Sequence, residues 1–180
     1  MTDADQFEAF VLQYQDMVFA TAVRLVGRSA DAEDISQAVF LKAFERFGVL
    51  STSPSVGGWL KTVTTNLCLN HLSRYRARWR FFSELGRGGD AGPFPLASRL
   101  VAGSPPGADL EEADRQQQLE HALRALPDHQ RVPLVLFHFE EESYQEIAAT
   151  LGASVGKIKT DIHRGRMALK RLLSEHDRRR

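Results

Sequence analysis

Ser143-Tyr-Gln-Glu146-Ile-Ala-Ala-Thr-Leu151-Gly152-Ala-Ser154-Val-Gly-Lys-Ile-Lys-Thr-Asp-Ile162-His-Arg-Gly-Arg166 is the stretch that decides the fold of this chain. Ser143 followed three residues later by Glu146 forms a capping box, each side chain serving the other residue's backbone N–H. It opens a helix over residues 144–151, which Gly152 stops because glycine takes left-handed backbone angles at little cost. Ser154 then caps a long basic helix to about Leu173. Helix, short glycine turn and basic helix together make a helix-turn-helix pattern. Ile147, Ala148 and Leu151 are spaced to pack on Ile158 and Ile162. That leaves Lys157, Lys159, Thr160, His163, Arg164 and Arg166 for phosphates and base edges in a major groove. A solvated basic helix in a plain bundle is the alternative, but two caps, a glycine turn and a basic face meet several separate requirements of DNA reading at once.

Working outward, a helix begins near Asp109, carries Leu119, Leu123 and Leu126, and is stopped by Pro127. Asp128 can cap the next helix, where Pro133 at the fifth position predicts a bent or irregular first turn. Residues 86–107, rich in Gly, Pro and Ser and without sustained period, read as a linker. Before it lie three helical patterns. Residues 7–26 place Phe7, Phe10, Val11, Tyr14, Val18, Ala22 and Leu25 at three- and four-residue steps, ended by Gly27. Asp31 can cap a second helix with Ile35, Val39, Phe40, Phe44 and Phe47 as its apolar stripe. Residues 48–55, with Pro54, read as a loop, and a third helix runs from about Val56 to Arg78. The expected fold is all-α: an N-terminal helical bundle over residues 1–80, a flexible linker over 81–108, and a C-terminal helix-turn-helix domain over 109–180.

Charge supports a nucleic-acid partner despite a formal net charge of zero and a pI near 7.0. Residues 57–80 hold Lys61, Arg74, Arg76, Arg78 and Arg80 with no acidic residue, and residues 154–180 carry a local surplus of six positive charges. Acidic residues concentrate between positions 109 and 146, so the neutral total conceals a separation of sign. The 43% hydrophobic and 26% charged content places the chain among folded proteins. No apolar run is long enough to span a bilayer, and MTDADQFEAF lacks the basic start and apolar core of a signal peptide, so a cytoplasmic location is expected. Cys68, the single cysteine, reads as a small core residue. The six histidines never pair at metal-ligand spacing. The acidic group Asp31, Glu33 and Asp34 fits the positive end of a helix dipole better than a metal site of a nuclease. No catalytic constellation and no cofactor requirement is visible.

Residues 66–80 mix amides, arginines, Tyr75 and Trp79, a combination suited to single-stranded or distorted DNA but equally to a solvated helix end, and Trp59 can be core or a stacking platform. Resemblance to a family takes the reading further. Residues 32–43, AEDISQAVFLKA, resemble the AEDLVQEVFLRA signature of region two in extracytoplasmic-function (ECF) sigma factors. Trp59-Leu60, Asn66-Leu67 and His71-Leu72 are similar to that family's WL, RNL and DHL elements. Leu126-Pro127, RVPLVL at 131–136, Glu146-Ile147-Ala148 and VGKIK at 155–159 resemble its region-four elements, Pro133 included.

The resemblance implies a non-enzymatic subunit that brings RNA polymerase core to promoters, with promoter DNA and an anti-sigma factor as further partners. Asp34, Gln37 and Leu41 would dock on the polymerase clamp helices, with Phe40 and Phe44 left in the core. The loop at 49–55, with Ser51, Thr52 and Ser53, would receive a base flipped from the minus-10 element. Lys61, Asn66, Asn70, Arg74, Arg76 and Arg78 would contact the adjacent DNA. Arg131, Ser154, Lys157, Lys159, Thr160, His163, Arg164 and Arg166 would serve the minus-35 element. The chain departs from the family at Thr65, Asn70, Ser73, Lys157 and Asp161. An acidic Asp161 beside phosphates turns away, pairs with Lys157, or marks a different promoter contact. The competing reading is an autonomous helix-turn-helix regulator that binds duplex DNA without polymerase.

Overall fold

The computed structural model describes residues 3–85 and 110–178, and every regular element among them is a helix. Helices α1 (Asp3–Val26), α2 (Ser29–Glu45), α3 (Phe47–Leu50) and α4 (Val56–Leu85) form the N-terminal bundle. The C-terminal bundle consists of α5 (Leu110–Ala125), α6 (Asp128–His138), α7 (Tyr144–Leu151) and α8 (Val155–Asp177). The all-α expectation holds.

Helical spacing accounts for the N-terminal core. Val18, Ala22 and Leu25 of α1 meet Ala32, Ile35, Val39 and Ala43 of α2 and Leu60, Cys68 and Leu72 of α4, all buried. Each such Leu, Ile or Val contributes roughly 1.5–3 kcal/mol through burial. Phe47 stands edge-on to Phe7 at 5.1 Å and to Phe10 at 5.5 Å. This aromatic anchor explains why a turn of helix, α3, starts a stretch whose sequence reads as loop. Cys68 is fully buried, and burial first, then the Glu140 carboxylate, push its thiol up to about 12. A thiol so protonated is unreactive at neutral pH, in line with a core role.

Four local expectations change. Gly27 ends α1 at φ +77°, leaving so short a turn that α2 starts at Ser29 with Arg28 at its N-cap. Asp31 therefore does not cap α2; it lies in the first turn, 3.7 Å from Arg28 and 3.4 Å from His71. α4 runs past Arg78 to Leu85, because no glycine or proline intervenes before Gly86; residues 81–85 thus belong to the helix. The linker's expected flexibility falls on residues 86–109, outside the described residues. In α6 the N-cap is Pro127, not Asp128. The first turn of α6 is regular despite Pro133, with Gln130 and Arg131 both donating to the Pro127 carbonyl at 3.0 and 2.9 Å. Pro133 stands one turn further on, buried in the core-facing side of the helix, so its missing N–H costs a bond inside α6 and leaves the start intact.

The C-terminal core brings Leu123 and Leu126 together with Val132, Leu134, Val135 and Leu136 of α6, Ile147 of α7 and Ile158 and Ile162 of α8, all buried. The two bundles meet along α1, which packs against α5 and α6.

Candidate nucleic-acid interface

The capping box that the sequence predicts is formed. Ser143 N–H donates to Glu146 Oε2 at 2.7 Å and Glu146 N–H donates to Ser143 Oγ at 3.2 Å, and these bonds hold the Glu146 carboxyl below its usual range. Gly152 takes φ +63°, the left-handed cap. Ser154 Oγ accepts from the Lys157 N–H at 3.2 Å, starting α8 as expected. With Ile147, Ala148, Ile158 and Ile162 buried, the opposite side of α8 is open: Lys157, Lys159, Thr160, His163, Arg164 and Arg166 are all exposed, as is Ser154 ahead of them.

Neighbouring groups orient several of these side chains. Lys159 Nζ lies 5.6 Å above the Tyr144 ring. Arg166 lies over Phe137 at 5.4 Å and donates to His138 Nε2 at 3.1 Å. Desolvation first, then the Arg166 charge, lower the His138 pKa, which keeps that ring nitrogen an acceptor. Thr160 Oγ1 donates to the Gly156 carbonyl at 3.0 Å and so faces solvent as an acceptor. Asp161 is only 5% exposed and accepts a hydrogen bond from Lys157 Nζ one turn back. Of the alternatives left open by the sequence, two are found together: Asp161 turns inward and pairs with Lys157. The pair takes one positive charge out of the reading face.

Arg131 is not brought together with these residues. It is 3% exposed, and its guanidinium is occupied by the carbonyls of Leu25 and Leu126 and by Asp128. In this conformation it offers nothing to DNA.

On the N-terminal bundle, Asn66 and Asn70 are exposed in line with Thr62 and Ser73, at steps of four, four and three along one face of α4. The side chains of Arg74, Arg76 and Arg78 lie outside the described residues. Lys61 is half-buried, with Nζ 3.8 Å from Glu140 of the other bundle. Ser51 and Thr52 are exposed and bond back to the carbonyls of Gly48 and Val49 at 3.5 and 3.3 Å; Ser53 Oγ lies 3.2 Å from Ser55 Oγ. These hydroxyls close the turn after α3.

Asp34, Gln37 and Leu41 are all exposed on α2, interleaved with the buried Ala32, Ile35, Val39 and Ala43. Phe44 is 60% exposed, which overturns its expected place in the core. Positions 34, 37, 41 and 44 form a three-four-three stripe of their own, and that spacing is the signal by which the sequence separates Phe44 from Ala43. Among the described residues no group of three or more His, Cys, Asp or Glu could hold a metal ion, and no helix is long and apolar enough to cross a membrane.

Comparison with known proteins identifies the family. The family described as Sigma-70 region 2 matches residues 10–79, and Sigma-70, region 4 matches residues 116–169. The chain is 36% identical over 173 residues to the ECF RNA polymerase sigma factor SigE of Mycolicibacterium smegmatis, covering 94% of this chain and 62% of that protein. It is 29% identical to the ECF RNA polymerase sigma factor SigW of Bacillus subtilis, covering 96% and 91%. Among solved structures, the sigma factor RpoE of Bartonella quintana, crystallised with the anti-sigma factor NepR, superposes with a TM-score of 0.56 at 25% identity, covering 93% of this chain and 96% of that one. With both regions matched in order on one chain, and with ECF sigma factors among its relatives, the chain belongs to the extracytoplasmic-function subfamily of RNA polymerase sigma factors.

Proposed function

We propose that this chain gives RNA polymerase core its promoter specificity through three surfaces. The α8 face reads the minus-35 element, the Asn66–Asn70 side of α4 with the turn at 51–55 holds melted minus-10 DNA, and the α2 stripe of Asp34, Gln37, Leu41 and Phe44 docks on the polymerase. The observation that carries this reading is the coexistence of a doubly capped, basic helix-turn-helix with an exposed apolar and acidic stripe on a separate bundle. An autonomous regulator has no use for the second. The role is non-enzymatic and places the chain in the cytoplasm with the polymerase. By analogy with the Bartonella protein, an anti-sigma factor is the expected regulator. Transcription in vitro from a mapped promoter, with core polymerase plus this chain, tests the proposal: no association with core and no transcript would refute it.

Two further outcomes probe the reading face. Arg164→Ala should weaken promoter binding and reduce the slope of log affinity against log salt by about 0.9, the contribution of one neutralised phosphate. An unchanged slope removes Arg164 from the interface. Asp161→Asn should steepen the slope by a similar amount, since it frees the Lys157 charge from its partner. A slope equal to that of the parent chain would show that Lys157 never meets a phosphate.

A further inference from the structure

The reading face of α8 rests on a ledge of rings supplied by the two helices before it. Phe137 of α6 and Tyr144 of α7 are partly buried against the core and stack with ring planes 5° apart and centroids 4.8 Å apart. His138, the last residue of α6, stands edge-on to Phe137 at 5.0 Å and is exposed. Two cations of α8 lie on this ledge, Lys159 over Tyr144 at 5.6 Å and Arg166 over Phe137 at 5.4 Å. They stand two turns apart on one helix face, so one stacked pair of rings serves both.

Arg166 has a second restraint, because its Nε donates to His138 Nε2 at 3.1 Å. That bond uses one guanidinium N–H and leaves the four on Nη1 and Nη2 to meet a phosphate or a guanine edge as a fork. An arginine already held in place also has less side-chain freedom to lose when DNA binds. His138 can accept this bond only while neutral, with its proton on Nδ1. An imidazolium carries N–H on both nitrogens and turns like charge toward the guanidinium.

The other charged groups around the end of α6 are engaged elsewhere. Arg24 of α1 lies over Phe139, Glu140 is directed to Thr21 and Lys61, and the Glu146 carboxylate of α7 accepts from the Ser143 N–H. Glu141 is exposed, and the Glu142 carboxyl, pushed up by burial, feels Glu146 and Glu140. Desolvation, then the Arg166 charge, hold the His138 pKa below the ordinary histidine value, so the ring is neutral at neutral pH.

We propose that His138 is a positioning residue of the minus-35 reader: its neutral ring holds Arg166 over Phe137 with the outer edge of the guanidinium turned to DNA, and a proton on Nε2 releases that side chain. The inference rests on the sigma-factor reading and deepens it, giving promoter recognition a pH sensitivity carried by α6. Acid acts on two histidines with opposite effects. His163 on the reading face gains a charge that favours phosphate, whereas His138 gains one that dislodges Arg166.

Promoter binding by core polymerase carrying the full chain separates these effects, with His138→Ala and His138→Gln each made alone and in an Arg166→Ala background. Glutamine offers an acceptor oxygen and takes up no proton. At about pH 7.5, H138A should bind about fivefold more weakly than wild type, the order of one net hydrogen bond, and H138Q within about twofold of it. In the R166A background H138A should cost nothing further, since the side chain it positions is gone. Between about pH 7.5 and about pH 5.5 the wild type should lose about threefold in affinity relative to H138Q, and the difference should vanish once Arg166 is alanine. A wild type that gains affinity over H138Q in acid would show that the imidazolium itself meets phosphate. H138A equal to wild type at neutral pH, or additive with R166A, would show that Arg166 is placed without it. Each of these results overturns the proposal. Absence of core-dependent promoter binding by the wild type would instead defeat the sigma-factor reading, and this inference with it.

Discussion

Arg131→Met should lower the stability of the chain by about 2–3 kcal/mol in chemical unfolding, a larger loss than any exposed substitution on α8. Methionine keeps most of the apolar stem, so the change isolates the guanidinium. Four donor contacts disappear, and hydrogen bonds from a charged donor contribute on the order of 1.5–3 kcal/mol each before the cost of burying the charge is returned. Water can hydrate Asp128, whose side chain is 36% exposed, and that reduces the penalty for losing its partner. The carbonyls of Leu25 and Leu126 have less relief while the bundles stay together. Arg131→Lys should recover only part of the loss, since one ammonium cannot reproduce a planar fork that bonds two helix ends at once. A change below about 0.5 kcal/mol in Arg131→Met would mean that the buried guanidinium repays no more than its own desolvation.

Arg131 also shows where sequence reading stops. Its position beside Val132-Pro133-Leu134 marks the family resemblance, and an arginine ahead of a DNA-reading unit is naturally assigned to phosphate. Nothing local says that its partner is a carbonyl 106 positions earlier in the chain. The same holds for Arg24, whose partner Glu120 lies 96 positions away. By contrast, the capping box, Gly152 and the Ser154 cap were all legible, because each is a contact between residues within three or four positions. The pairing of Lys157 with Asp161 was legible for the same reason, as an i,i+4 pair on one helix, though only the structure selects it from the alternatives. Phe44 lies between these cases. Aromatic identity argued for burial, whereas spacing from Asp34, Gln37 and Leu41 argued for the open face, and among the described residues its ring makes an edge contact with Phe7 at 5.0 Å at the margin of the Phe7, Phe10 and Phe47 cluster. The boundaries that moved, at Asp31 and at Leu85, depend on a left-handed glycine and on where the next helix breaker falls.

The double variant Leu41→Asp/Phe44→Asp should reduce affinity for core polymerase at least a hundredfold. Leu41 is 67% exposed, and with Phe44 it offers the apolar part of the α2 stripe. Burying one such side chain on a partner contributes roughly 1.5–3 kcal/mol, less for the fraction already covered. Two together supply about 3 kcal/mol, which at about 1.4 kcal/mol per factor of ten is a hundredfold in affinity. Carboxylates in their place add the cost of desolvating charge against an apolar patch. Folding should survive, since neither residue is in the core and, among the described rings, Phe44 gives up an edge contact with Phe7. The contrast with Arg164→Ala is decisive: that variant should keep its affinity for core and lose promoter affinity, whereas the α2 variant should lose core association itself. Retention of core binding within about threefold by the α2 variant would remove Leu41 and Phe44 from the docking surface. It would also leave Asp34 and Gln37 as polar contacts without the apolar centre that a stable interface requires.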